Sequence, residues 1–386
     1  MNMLLTAMKV TVALVMSSLL FVPLNSLAGS FVKTKELTNF FKHGILKISA
    51  SEDGSFVFIK DGNRDYWLME SIRPFLFSKI FNDPERAIED KPIGEQWSNQ
   101  HIIFFYREKI EFYNVQNQKN EHHYPLKLPG LNLNVVWSEK HRRFIINTQI
   151  FSVDSNVEKN LSQERHAYQT GLVIMDNGDD YITSGYHDQR IMRWTLPDGE
   201  LKKTWQLGSW YSSRKVSGLA LIDNHLLVAS SNGLIEERSL EDGSVLWSAS
   251  PCRHFLSGTT PSFLFNGSKD KSINHNRLVF YDCHGLGAGY GFIEKQDNEW
   301  ALNEINLPSA GDASLERMYY LDSSAKAILG LGDGQVLLYD LENKRVDQVI
   351  ISKSPEGDGT AVFAYLKADK LLVVVERDSV DIYQYQ

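Results

Sequence analysis

Residues 327–339 read AILGLGDGQVLLY, two runs of apolar and aromatic residues on either side of Asp333-Gly334. An Asp-Gly pair supplies the positive backbone φ that a tight turn between antiparallel strands needs, so this stretch predicts a β-hairpin. The same grammar returns in residues 226–237 (LLVASSNGLIEE), around Asn232-Gly233, and in residues 55–69 (SFVFIKDGNRDYWLM), around Asp61-Gly62-Asn63. Outward from these hairpins, the chain after Ala28 is a succession of short alternating runs broken by Gly, Asn and Asp. That is the signature of strands rather than helices.

Spacing turns the hairpins into a repeat. The apolar residues that close the strand after each turn fall at Leu68, Val115, Val153, Leu196, Leu240, near Phe292, at Leu341 and at Ile382, mostly 38 to 47 residues apart. A unit of that length holds three or four strands and cannot bury both of its faces alone, so neighbours must stack, and radial closure is the usual solution. The expected fold is all-β, a single β-propeller of seven or eight four-stranded blades, with eight favoured by the repeat count. Residues 360–386 offer three strands and then the chain ends, while Phe31 to Leu37 (FVKTKEL) is a strand without a hairpin partner. The N-terminal strand is therefore expected to complete the last blade as its outermost strand.

Two families share parts of this pattern. Residues 184–194 (SGYHDQRIMRW) resemble the end of a WD repeat, with Asp188 at the turn and Trp194 at the tryptophan; Thr195 stands where that family's second Asp would be. The unit ending at Tyr339-Asp340 keeps the Asp and replaces the Trp by Tyr. Residues 240–247 (LEDGSVLW), and less neatly 196–205 (LPDGELKKTW), resemble the docking motif of pyrroloquinoline-quinone-type repeats. There a Gly turn leads into an outer strand whose tryptophan, here Trp247, packs against the next blade. Both resemblances imply a propeller, and a structural role for Asp188, Trp194, Trp247, Tyr339 and Asp340.

The first 28 residues read as an address. Met1 to Lys9 carries one positive charge, Val10 to Pro23 is apolar, and Ser26-Leu27-Ala28 places small residues where a signal peptidase reads, predicting cleavage after Ala28. The expected mature domain is 29–386, exported to a bacterial periplasm or secreted, with no membrane span once the leader is removed. The chain carries a formal charge of −8, and the leader removes one lysine and no acid. An acidic surface argues against nucleic acid as a partner. Cys252 and Cys283 are the only cysteines. In an oxidising compartment they can form a disulfide; two buried thiols are the alternative.

Legible chemistry is sparse. His122-His123 are neighbours on a predicted strand and point to opposite faces, one to solvent and one half-buried, so they do not share a metal. Asp282-Cys283-His284 has a nucleophile beside a base but no third group at family spacing. Glycine at every second position from Gly285 to Gly291 leaves one strand face bare, which suits close packing. No zinc-ligand cluster or cofactor motif is visible. The proline-interrupted stretch 71–95 reads as an irregular insertion. Trp210, Tyr211 and Arg214 in the loop WQLGSWYSSRK form a candidate protein-binding patch. The expected function is a binding module or scaffold in the cell envelope, with another protein or an envelope ligand as its partner. The second reading is a dehydrogenase-, lyase- or lactonase-like enzyme with a site in the central channel.

Overall fold

The computed structural model describes residues 29–38, 41, 43–51, 53–73, 76–81, 91–98, 100–125, 135–146, 149–152, 158–160, 169–174, 178–185, 189–207, 215–222, 225–252, 260–264, 278–284, 289–296, 299–307, 313–321, 325–352, 362–376 and 379–386. Residues 1–28, Asp188, Trp210, Tyr211 and Arg214 lie outside these residues. Among the described residues there is no helix. The strands form eight antiparallel sheets of four; seven are meanders of consecutive strands, and the eighth adds Phe31–Leu37 to the last three.

Blade 1 spans 45–79, blade 2 94–125, blade 3 135–160, blade 4 169–206, blade 5 216–249, blade 6 260–305 and blade 7 315–351; blade 8 combines 362–385 with Phe31–Leu37. The eight sheets stand in a ring, so the chain is an eight-bladed β-propeller. The residues of the repeat register fall in the third strand of a blade or within two positions of its end, which is why counting them counts blades. Even the weakly defined unit near Phe292 has a regular third strand, Tyr290–Gln296.

Burial follows from the period-two alternation of strands. In the second strand of blade 1, Val57 and Ile59 face blade 8 while Phe56 and Phe58 face blade 2. The apolar side chains sort into eight clusters, one at each boundary between neighbouring blades, including the boundary between blades 8 and 1. No blade has a core of its own. Each stabilises its neighbours, and the ring has no end at which an apolar face is left bare.

Phe31–Leu37 is the outermost strand of blade 8, antiparallel to Ser379–Tyr385, as expected from the sequence. The lock extends beyond the ladder. Gln348 of blade 7 donates to Phe31 O at 2.7 Å and accepts from Phe31 N at 2.8 Å, and Lys326 reaches Gly29 O at 3.1 Å.

The turns depart from expectation in one place. Gly233 and Gly334 adopt φ of 84° and 90°, as tight hairpin turns require. In Asp61-Gly62-Asn63 the left-handed residue is Arg64, at φ 58°, not Gly62. Gly62 is needed for another reason: a Cβ there would sit 2.0 Å from His43 O. Asp61 shapes this turn by accepting from Asn63 N and Asp65 N, both at 2.9 Å.

The stretch 71–95 is not a single excursion. It contains the outermost strand of blade 1, Phe77–Lys79, and the start of the innermost strand of blade 2 at Gly94. Lys91 ties its end back to blade 1 through Asn63 O at 2.6 Å and Asp65 Oδ1 at 3.1 Å.

Candidate functional site in the central channel

The innermost strand of a blade has a neighbour on one side only, so its inward edge presents backbone groups to the channel. Four of these strands carry a register shift at their second residue: Ile45/Lys47 in blade 1, Gln169/Gly171 in blade 4, Val216/Gly218 in blade 5 and Leu315/Arg317 in blade 7. A bulge re-aims the side chain that follows it. By register, that position carries Lys47 and Arg317 in blades 1 and 7 and glycine in blades 4 and 5. The cationic side of the ring is the side of the closure seam.

Arg317 makes the longest reach. Its Nη1 donates to Phe363 O of blade 8 at 2.6 Å and to Ile48 O of blade 1 at 2.8 Å. Blade 8 stands between blades 7 and 1, so one guanidinium joins the inner strands of three consecutive blades along the channel wall. At the next boundary, Glu95 of blade 2 is held between Lys47 Nζ at 3.0 Å and Lys60 Nζ at 3.2 Å, both of blade 1. Burial pushes the Glu95 carboxyl up, but the two lysines outweigh it and hold the group below the usual carboxylate range. Burial also pushes the nearby Tyr66 hydroxyl well above its ordinary value, with the Glu95 charge adding to the shift. Leu46, the bulged residue of blade 1, remains 58% exposed.

A second polar cluster lies between blades 5 and 6, toward the rim. Glu237, 5% exposed, accepts from Trp300 Nε1 at 2.7 Å and contacts His225 Nδ1. Lys295 approaches His225 Nε2 at 2.7 Å and lies 5.2 Å from the centroid of the Trp300 ring. Lys295 Nζ also lies 3.0 Å from His225 Nδ1, within hydrogen-bond distance of both ring nitrogens. The cluster's members span residues 225 to 300, and no local motif announces it.

The residues singled out in the sequence fall mainly into structural places. Trp194, 1% exposed, donates from Nε1 to Thr183 Oγ1 of the adjacent strand at 2.9 Å. Trp247 packs on the cluster between blades 5 and 6, with its ring centroid 6.4 Å from that of Trp300. Its counterpart Trp205 lies between blades 4 and 5 and packs on Gly243 of the next docking motif, where a Cβ would come within 2.2 Å of the indole. Tyr339 is buried between blades 6 and 7. Asp340 accepts from the Asn343 backbone N–H at 2.8 Å, which holds its carboxyl below the ordinary value.

Cys252 and Cys283 form a disulfide with Cα atoms 5.6 Å apart, joining the segment that leaves blade 5 to the second strand of blade 6. This removes Cys283 from any nucleophilic reading. Its neighbour Asp282 is fully buried and accepts from Leu315 N of blade 7 at 3.1 Å. Gly291 leaves room for the Asn303 carbonyl, 2.2 Å from where a Cβ would stand, so close packing accounts for that glycine. His122 and His123 are both exposed rather than divided between solvent and interior, because they lie on the outermost strand of blade 2 with no neighbour outside it. Among the described residues no group of three or more His, Cys, Asp and Glu side chains could hold a metal.

Neither a protein-family model nor a curated protein sequence matches the chain. Solved structures do. The computationally designed Ika8 protein aligns over 92% of this chain and 100% of its own length, with a TM-score of 0.59 at 10% identity. The Cps50 (Swd1) β-propeller domain of Myceliophteria thermophila aligns over 76% of this chain and 97% of its own length, with a TM-score of 0.52 at 9% identity. At such identities the likeness to both is one of fold alone, and the eight blades are read from this chain's own sheets.

Proposed function

We propose that the protein is an exported binding module, a propeller of degenerate WD-like and pyrroloquinoline-quinone-type repeats that presents a rigid surface to a protein partner in the bacterial cell envelope. The observation that carries the reading is the exposure of two large apolar residues, Ile72 at 74% and Leu76 at 67%, in the segment between the third and outermost strands of blade 1. Large exposed apolar side chains on a rigid scaffold are a usual feature of docking surfaces. The Cys252–Cys283 disulfide supports export, since such bonds persist in oxidising compartments. So does the N-terminal leader, with cleavage after Ala28 yielding a periplasmic or secreted product. An enzyme with its site in the channel is the second reading, and Arg317 is the observation that favours it.

The test is a variant pair. Ile72→Glu with Leu76→Glu is expected to leave the melting temperature unchanged, to leave the mature protein starting at Gly29 in the periplasmic fraction, and to abolish its in-cell cross-link to an envelope protein. A cross-link of undiminished yield in the folded double variant would overturn the docking surface. A product retaining residues 1–28 in the cytoplasm would overturn export.

A further inference from the structure

We propose that the central channel binds a small organic monocarboxylate, with Arg317 as its anchor. The inference goes beyond the docking surface at Ile72 and stands or falls separately from it. It begins with an imbalance. Arg317 is half-buried, and Nη1 spends its hydrogens on the Phe363 and Ile48 carbonyls. Those acceptors are neutral. Among the described residues no carboxylate forms an ion pair with Arg317, and its Nη2 and Nε hydrogens have no acceptor.

A guanidinium partly withdrawn from water and without a counter-charge is stabilised when an anion joins it. Its planar fork of N–H groups matches the two oxygens of a carboxylate. Fixing Nη1 on two carbonyls holds the fork in place before a ligand arrives, so little side-chain freedom remains to be lost on binding.

The surrounding charges select the ligand's valence. Lys47 and Lys60 both hold Glu95, and Glu316, the residue before Arg317, accepts from Ser314 Oγ at 2.6 Å. Among these named residues, three cations and two carboxylates leave a single positive charge. One negative charge balances it, whereas a phosphate dianion would overcompensate with both lysines already engaged. Leu46, exposed two residues before Ile48, places an apolar side chain on the same strand as one of the anchoring carbonyls. The ligand expected is therefore a carboxylate with a short apolar body.

Phenylglyoxal modification of the intact wild-type protein tests this without a variant that could misfold. Modification of Arg317 and of the exposed Arg73 is followed by mass spectrometry in chloride, in butyrate or benzoate, and in inorganic phosphate, all at matched ionic strength. Carboxylate at about ten times its Kd is expected to slow modification of Arg317 about tenfold and leave Arg73 unchanged. Equal rates in carboxylate and chloride would overturn the site, and stronger protection by phosphate would overturn the choice of a monoanion. Loss of benzoate binding in Arg317→Gln, with a native circular dichroism spectrum, is the supporting result; retained binding would contradict it.

Discussion

At the seam of blades 7, 8 and 1, nothing covalent holds the ring shut. Strand Phe31–Leu37 and the C-terminal strand Ser379–Tyr385 meet there as neighbours, Gln348 clamps Phe31 from blade 7, and Arg317 bridges the inner wall. Between blades 5 and 6 the chain is continuous, yet that boundary carries the disulfide, the Trp247–Trp300 contact and a buried Glu237 bonded to an indole. The difference teaches where a ring needs help. At the seam, failure of one strand opens the whole circle, so many directional bonds converge there. Between blades 5 and 6 the cross-link restrains a long loop of the unfolded chain, which lowers the entropy gained on unfolding.

Breaking the seam is expected to have the largest effect. Removing residues 31–37 bares the edge of Ser379–Tyr385 and takes Phe31 out of the cluster between blades 7 and 8. Folded domains of ordinary stability hold only about 5–15 kcal/mol in reserve. The truncated protein is therefore expected to lose its cooperative thermal transition in calorimetry. A sharp transition within a few degrees of wild type would show that the ring closes without the strand.

Breaking the other boundary should cost less. Cys252→Ala with Cys283→Ala opens a cross-link between residues 31 apart, worth about 2–4 kcal/mol, and the variant should still unfold cooperatively, at a lower urea midpoint. A loss of stability as large as the strand deletion would erase the contrast.

The smallest effect concerns the ion pairs between blades 1 and 2, one boundary beyond the seam. The Glu95 carboxyl is depressed in the folded state, so it adds stability that is fully present above its unfolded value and lost as pH falls through the folded one. Below about pH 4.5 the melting temperature of wild type should fall more steeply than that of Glu95→Gln. Parallel curves would mean that the two lysines do not stabilise the charged form.

Much of the ring could be read in the sequence, because its cause is local. Alternation makes strands, and the Asn232-Gly233 and Asp333-Gly334 pairs make turns, so the third strand of each blade is visible one unit at a time. Blade 6 was hardest to read because its second and third strands meet near the alternating-glycine run 285–291, where no Asp-Gly or Asn-Gly pair marks the turn. The channel was not legible at all. Arg317 and Ile48 are 269 residues apart, and their contact depends on a bulge that leaves no mark in the spacing of apolar residues. The Glu237–Trp300 bond likewise exists only once two blades stack.

Hydrogen exchange of the backbone amides in 31–37 tests closure most directly. If this strand locks the ring, the amides that bond to Ser379–Tyr385 should exchange as slowly as those of the innermost strand of blade 8, Val362–Leu366, by opening of the whole molecule. Exchange of 31–37 at the rate of an unstructured peptide, with Val362–Leu366 still protected, would contradict it.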